Sequence, residues 1–159
     1  MSILTGLLTI NGVDVYERFG AFLAEKAEDE HRNYDALLAM PALKKQAEVS
    51  IREEDGVRTA PELVQAFEPR DLTLTFAIEA GSDADFLRRY YSFVQFLKRG
   101  DKGWLDIRLM DIGLAFRVYL KGAGSYSQLT PFGAASVVAL FEVQLREPQP
   151  MFTPVQTTI

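Results

Sequence analysis

The chain has no cysteine, one histidine and one tryptophan. Without cysteine there is no disulfide, no thiolate metal site and no thiol nucleophile, and redox chemistry points to no compartment. No apolar run approaches the roughly 20 residues that span a bilayer, so membrane insertion is not expected. A basic excess is missing too: the formal net charge is −5, which argues against general or specific nucleic-acid binding. Met1 to Ile10 holds a short apolar run with no basic segment before it and no small-residue cleavage site, so it is not a signal peptide. What remains, 159 residues at 48% hydrophobic and 25% charged, suits one domain with a real core. A soluble protein made in the cytoplasm is expected.

The clearest pattern runs from Pro69 to Gly122. Leu72, Leu74, Phe76 and Ile78 alternate with Thr73, Thr75 and polar Glu79, which predicts a strand with one buried face. Ser82-Asp83-Ala84-Asp85 predicts a capped helix start. Phe86, Leu87, Tyr90, Phe93, Val94 and Leu97 then fall on one helical stripe over about 83–99. Lys98 and Arg99 suit the helix end, and Gly100 stops it. Trp104 to Met110 and Leu114 to Lys121 are extended again.

The flanks are mostly strands. Asn11-Gly12 between Leu7–Ile10 and Val13–Tyr16 is a hairpin signal, because both turn residues need positive φ. A helical piece near Tyr16 to Gly20 leads to a short strand at Ala21-Phe22-Leu23, and Tyr34 to Ala42 predicts one or two helical turns stopped by Pro41. Val137, Ala139, Phe141, Val143 and Leu145 alternate in a long last strand. The sum is an α+β domain over 1–147, an antiparallel β-sandwich or curled sheet with one amphipathic helix packed on it. The connection from Ile78 through the helix to Trp104 leaves room for some parallel pairing. The weakly patterned stretch 44–69 predicts a long mobile or partner-ordered loop. Residues 148–159, with Pro148, Pro150 and Pro154, predict an extended C-terminal arm that does not close the core.

Chemistry is sparse. His31 with Asp29 and Glu30 could be drawn as a metal site, but consecutive side chains rarely converge on one ion, so a solvated acidic loop is the expectation. A serine triad would also need His31, and no Gly-x-Ser-x-Gly elbow accompanies it. Gly122-Ala123-Gly124 lacks the third glycine and following helix of a phosphate loop. Glu53, Glu54 and Asp55 are adjacent acids at a turn, which is ordinary surface charge rather than a catalytic pair. Arg88, Arg89, Lys98, Arg99 and Lys102 form a basic set on or near the helix. Its plain role is a solvated face; its functional one is to meet the acids Glu53 to Asp55 of a neighbouring subunit. Tyr91, off the centre of the stripe, is a candidate interface anchor. Neither an enzyme nor a cofactor is expected.

The order Ile10-Asn11-Gly12-Val13-Asp14-Val15, Phe19-Gly20, Glu54-Asp55-Gly56 and Arg70-Asp71-Leu72-Thr73-Leu74-Thr75-Phe76 resembles the N-terminal domain of siphophage distal tail proteins and their prophage-encoded relatives. The helix Phe86 to Leu97, Leu105-Asp106-Ile107 and Phe116-Arg117-Val118-Tyr119-Leu120 continue it, so roughly Leu7 to Glu147 is covered. The resemblance implies a β-sandwich with a helix, a hexameric ring at the tip of a tail tube, and contacts with tube, tape-measure and tip or receptor-binding proteins. It places the chain in a virion tail made in a bacterial host. The family's second, galectin-like domain has no counterpart in the short arm, so another tail component built on a similar domain fits equally. The contrasting expectation is a small-ligand or carbohydrate-binding domain, which needs a concavity lined by Trp104, Tyr119 and Tyr126.

Overall fold

A computed structural model describes residues 5–27, 30–150 and 153–154. Asn11 and Gly12 take φ of 53° and 80° and join β1 (Leu8–Ile10) to β2 (Val13–Asp14). The Asn11 side chain also accepts from the Asp106 N–H at 2.8 Å and donates to the Trp104 carbonyl at 3.1 Å, which fastens the turn to β5 (Trp104–Leu109). Asp14 caps α1 (Val15–Phe19) by accepting from the N–H groups of Tyr16 and Glu17 at 3.0 and 3.3 Å. Gly20 ends α1 at φ 68°, and a Cβ there would lie 3.0 Å from the Glu79 carbonyl oxygen. Glycine is therefore what lets the chain turn directly into β3 (Ala21–Leu23).

After α2 (Arg32–Leu38) come β4 (Arg70–Ala80), α3 (Asp83–Arg99), β5, β6 (Leu114–Gln128), β7 (Val137–Glu147) and β8 (Thr153–Pro154). The strands form one sheet in the order β2-β1-β5-β6-β7-β4-β3, with β8 pairing β6 at Leu114 and Ala115. All of its pairings among the described residues are antiparallel. The expected room for parallel pairing is not used, because the crossover through α3 passes β7 and β6 before β5 is laid down. Residues of β1 and β3, near opposite ends of the order, line the same cleft, so the sheet curls back toward itself. The α+β reading of the sequence, an antiparallel curled sheet with a helix on it, is the fold observed.

The inward faces of β1, β4, β5 and β7 meet α3 in one apolar core that includes Ile10, Leu72, Leu74, Leu105 and Leu145. Ser82 caps α3, its hydroxyl accepting from the Asp85 N–H at 3.2 Å. Phe93 lies 5.3 Å from Phe76 and 5.4 Å from Phe19 between ring centroids, at edge or tilted angles that aromatic quadrupoles favour. The helix is rotated slightly from the expected stripe. Leu87 is 39% exposed, whereas Phe96 turns inward against Phe19. The cause is α1, which supplies a second apolar wall on the Phe96 side.

Two buried polar groups organise the far edge. Asn33 accepts from the Thr75 N–H at 2.8 Å and donates to the carbonyls of Ala24 and Thr75 at 2.9 and 3.3 Å, standing in for backbone where the β3–β4 ladder ends. Arg70, at the start of β4, pairs at 2.6 Å with Glu147 at the end of β7, with side-chain exposures of 11% and 2%. Its other arm donates to the carbonyls of Leu37 and Ala39 at 3.1 and 3.0 Å, closing the C-terminus of α2.

Between α2 and β4 the chain leaves the sheet. Residues 43–67 fold as a narrow antiparallel projection rather than a patternless connector. Its base is held by the Leu43–Phe67 bridge and by N–H bonds from Lys44 to Ala66 and from Glu68 to Ala42, both 2.7 Å. Nearer the tip, Val49 and Arg58 exchange N–H···O bonds at 2.9 and 2.8 Å. Past Glu147 the expected C-terminal arm is described only to residue 150 and at 153–154; its remainder lies outside the described residues.

Replacing Arg70 with methionine strands a buried carboxylate and should cost about 3–5 kcal/mol in urea unfolding. Arg70→Met with Glu147→Leu together should recover most of that loss. An equal loss in the double variant would show that the Arg70 contacts to α2, not the ion pair, carry the effect.

Candidate interaction site

The charged residues singled out from the sequence fall on two separate surfaces. Glu53, Glu54 and Asp55 sit at the tip of the 43–67 projection, where Gly56 takes φ 73°. Glu54 is engaged within the tip by an ion pair to Arg58. Glu53 and Asp55 are exposed, with no ion-pair partner among the described residues. The sides of the projection expose Val49, Val57, Leu63 and Val64, the last at 80%. Of these only Val49 falls in an alternating run, the brief Glu48-Val49-Ser50-Ile51; the other three carry no signal of a buried face.

The second surface is the outer side of α3. Arg88 and Arg89 both pair with Asp85, and Arg89 also reaches back to the Glu79 carbonyl at 3.4 Å. These two are therefore largely committed to the helix N-terminal half. Lys98 and Arg99 have no such partner among the described residues, and both are exposed. Tyr91 is 62% exposed. With Arg99 and Arg18 it lines a shallow depression of about 370 Å³ over Phe19 and Phe96. Arg18 was not foreseen; its guanidinium lies 5.4 Å from the Phe19 ring centre and 5.8 Å from that of Phe96. Within one chain no hydrogen bond or ion pair among the described residues joins the 53–55 tip to α3.

The other candidates are dispersed. His31 lies beside Tyr34, ring centres 6.3 Å apart, and Glu30 reaches Arg32 at 3.5 Å, while Asp29 lies outside the described residues. No group of three His, Cys, Asp or Glu placed to hold a metal occurs among the described residues. Trp104 and Tyr119 meet edge to face at 5.8 Å, but the Arg117 guanidinium covers the indole at 4.7 Å. Tyr126 is opposite Phe141 in the register and packs on Tyr90 of α3. By strand alternation that is the other face of the sheet, so the three aromatics expected to share a concavity do not converge. Among the described residues no helix is long and apolar enough to cross a membrane.

A more enclosed cleft opens between β1 and β3. There the Tyr34 hydroxyl donates to Asp111 at 3.0 Å, with Glu25 nearby. The hydrogen bond to Asp111, then desolvation, then the negative fields of Asp111 and Glu25 hold the Tyr34 phenol above its ordinary pKa of 10.0. In the middle of β7, hydrogen bonds from Lys26 and Ser125 hold the Glu142 carboxyl below its ordinary value.

No family model matches the chain, and no curated protein matches its sequence. Among solved structures, it is similar to the SPP1 Dit (gp 19.1) protein, described as a paradigm of the hub adsorption apparatus in phages that infect Gram-positive bacteria. Identity is 13%, the TM-score is 0.48, and the match covers 91% of this chain and 52% of that one. The chain thus spans about half the length of that protein.

Because its pKa is raised, the neutral Tyr34 phenol favours the folded state, and that stability is present below pH 10.0 and lost as pH rises through the raised value. Ultraviolet titration should show late-ionising tyrosines, since burial raises Tyr90 and Tyr126 as well, and Asp111→Asn should move only the Tyr34 component to lower pH. Identical curves for both proteins would remove Asp111 as the main cause.

Proposed function

We propose that this chain is a non-enzymatic structural subunit of a phage or prophage tail, placed in the distal ring that joins the tail tube to the tip and acting by self-association. One observation carries the reading: the 43–67 projection is ordered by its own backbone bonds yet leaves its valines and both faces to solvent. A hairpin of that kind gains little from its own subunit, since two strands alone are marginal in water. Its apolar sides are suited to lie against a neighbouring copy.

Charge supports the same partner. The acids Glu53 and Asp55 at the tip, with no ion-pair partner among the described residues, complement Arg99 and Arg18, which line the depression beside Tyr91, and the exposed Lys98. Arg88, Arg89 and Glu54 contribute less, because each already has an intrachain partner. The residue order shared with distal tail proteins supplies the biological setting: a virion tail assembled in the host cytoplasm, with tube, tape-measure and tip proteins as further partners. A net acidic chain is consistent with a ring whose lumen must let DNA pass without gripping it.

Light scattering over a concentration series, with negative-stain images, should show discrete rings, six subunits being the expected number. Replacing residues 45–66 by a short Gly-Ser linker should leave a folded monomer, with unchanged circular dichroism. Arg99→Glu should weaken assembly, and Glu53→Lys with Asp55→Lys should restore part of it. Rings formed equally well without the projection would sink the proposal.

A further inference from the structure

The ends of the curled sheet do not pair with each other. Between β1 and β3 they leave a slot of about 230 Å³, walled by Leu7, Leu8, Phe22, Leu23 and Leu109. That is below the roughly 300–1,000 Å³ of pockets for drug-sized ligands, and leaves room for a side chain rather than a whole small molecule. One end of the slot is acidic. Glu25 accepts from the Asn33 N–H through Oε1 at 2.9 Å, while its Oε2 is buried with no hydrogen-bond partner among the described residues. Asp111 lies across Tyr34 from it, and both carboxylates act on the Tyr34 hydroxyl. Among the described residues no lysine, arginine or histidine lines the slot. A desolvated carboxylate oxygen facing apolar walls is satisfied best by a cationic donor carried on a hydrocarbon stem.

The rim indicates what carries that stem. The Ala24 N–H donates to the Thr75 carbonyl at 2.9 Å, which fixes the hydrogen-bonded phase of the β3–β4 ladder. By that phase Leu23 turns its own N–H and C=O away from β4, to the side where, among the described residues, no strand pairs with β3. An edge of this kind accepts an extended polypeptide.

We propose that the slot is a docking site for an extended segment of a partner protein, which inserts a lysine between Leu8 and Leu23, sets its ammonium at Glu25 and Asp111, and pairs its backbone with the Leu23 edge. Lysine fits better than arginine, because a compact ammonium serves two separate carboxylates whereas a guanidinium favours one bidentate partner. The site shares no residue with the 43–67 projection or the outer side of α3, so it stands or falls apart from the assembly proposal.

The test uses the full chain, isotope-labelled, with amide shifts followed by NMR. Three probes are titrated: acetyl-Val-Thr-Lys-Thr-Val-amide, the same peptide with norleucine for lysine, and n-butylammonium alone. The lysine peptide should move the amides of Leu8, Leu23 and Tyr34, and the norleucine peptide should bind at least about tenfold more weakly. Glu25→Gln, which keeps the Oε1 acceptor for Asn33, and Asp111→Asn should each weaken the lysine peptide similarly. If Glu25→Gln does not fold, Asp111→Asn and the two peptides on the unaltered chain decide the matter. Equal binding of both peptides, no shift at these amides, or n-butylammonium binding as tightly as the peptide would overturn the assignment.

Discussion

The buried ion pair between Arg70 and Glu147 sets the frame on which the rest is hung. It joins the first residue of β4 to the last of β7, two strands paired without a break along their whole length, and so fixes their register from one end to the other. A slip of one residue would bury the charges unpaired and turn Leu72, Leu74, Phe76 and Ile78 to solvent. Because the same guanidinium also holds the carbonyls at the end of α2, the position of that helix depends on the pairing too. From α2, Asn33 then reaches the β3–β4 ladder. Register, helix position and sheet edge are thus one connected arrangement.

Against this frame the aromatic side chains act as the filling. Phe76 and Phe141 come from the sheet, Phe93 and Tyr90 from α3, and Phe19 and Phe96 close the side under α1. Their edge and tilted contacts leave Tyr91 and Arg99 as what the outer side of the helix offers to other molecules. The core and the candidate interface are two sides of one helix, separated by a rotation of its stripe.

Much of this was legible in the residues, where the signal was local and chemically specific. Asn11-Gly12 gave the hairpin because only a few residue types tolerate both turn conformations, and Ser82 gave the start of α3. The central strands were visible because one of their faces is buried. The contribution of Leu87 was misplaced because helical phase alone does not reveal a neighbour such as α1. The pairing within the 43–67 projection was not legible for a different reason: its isolated bridges join exposed segments that have no buried face to mark them. Asn33 and Glu147 were illegible because a buried polar residue is recognised by its partners, which lie far away in sequence. Among the candidate charged residues, the sequence could not show which cations were already engaged, since that depends on Asp85 being within reach of both Arg88 and Arg89.

The pairing of β4 with β7 also fixes an order of events during synthesis. Residues 70–80 leave the ribosome long before 137–147, and the intervening chain includes α3, β5 and β6. Until the last strand arrives, β4 can pair only along the short length offered by β3, and the ion pair between Arg70 and Glu147 cannot form. Closure is therefore long-range and late, a topology that folds slowly and leaves strand edges open in the nascent chain. For this protein the final long strand is what converts a partly formed helix and sheet into a closed core.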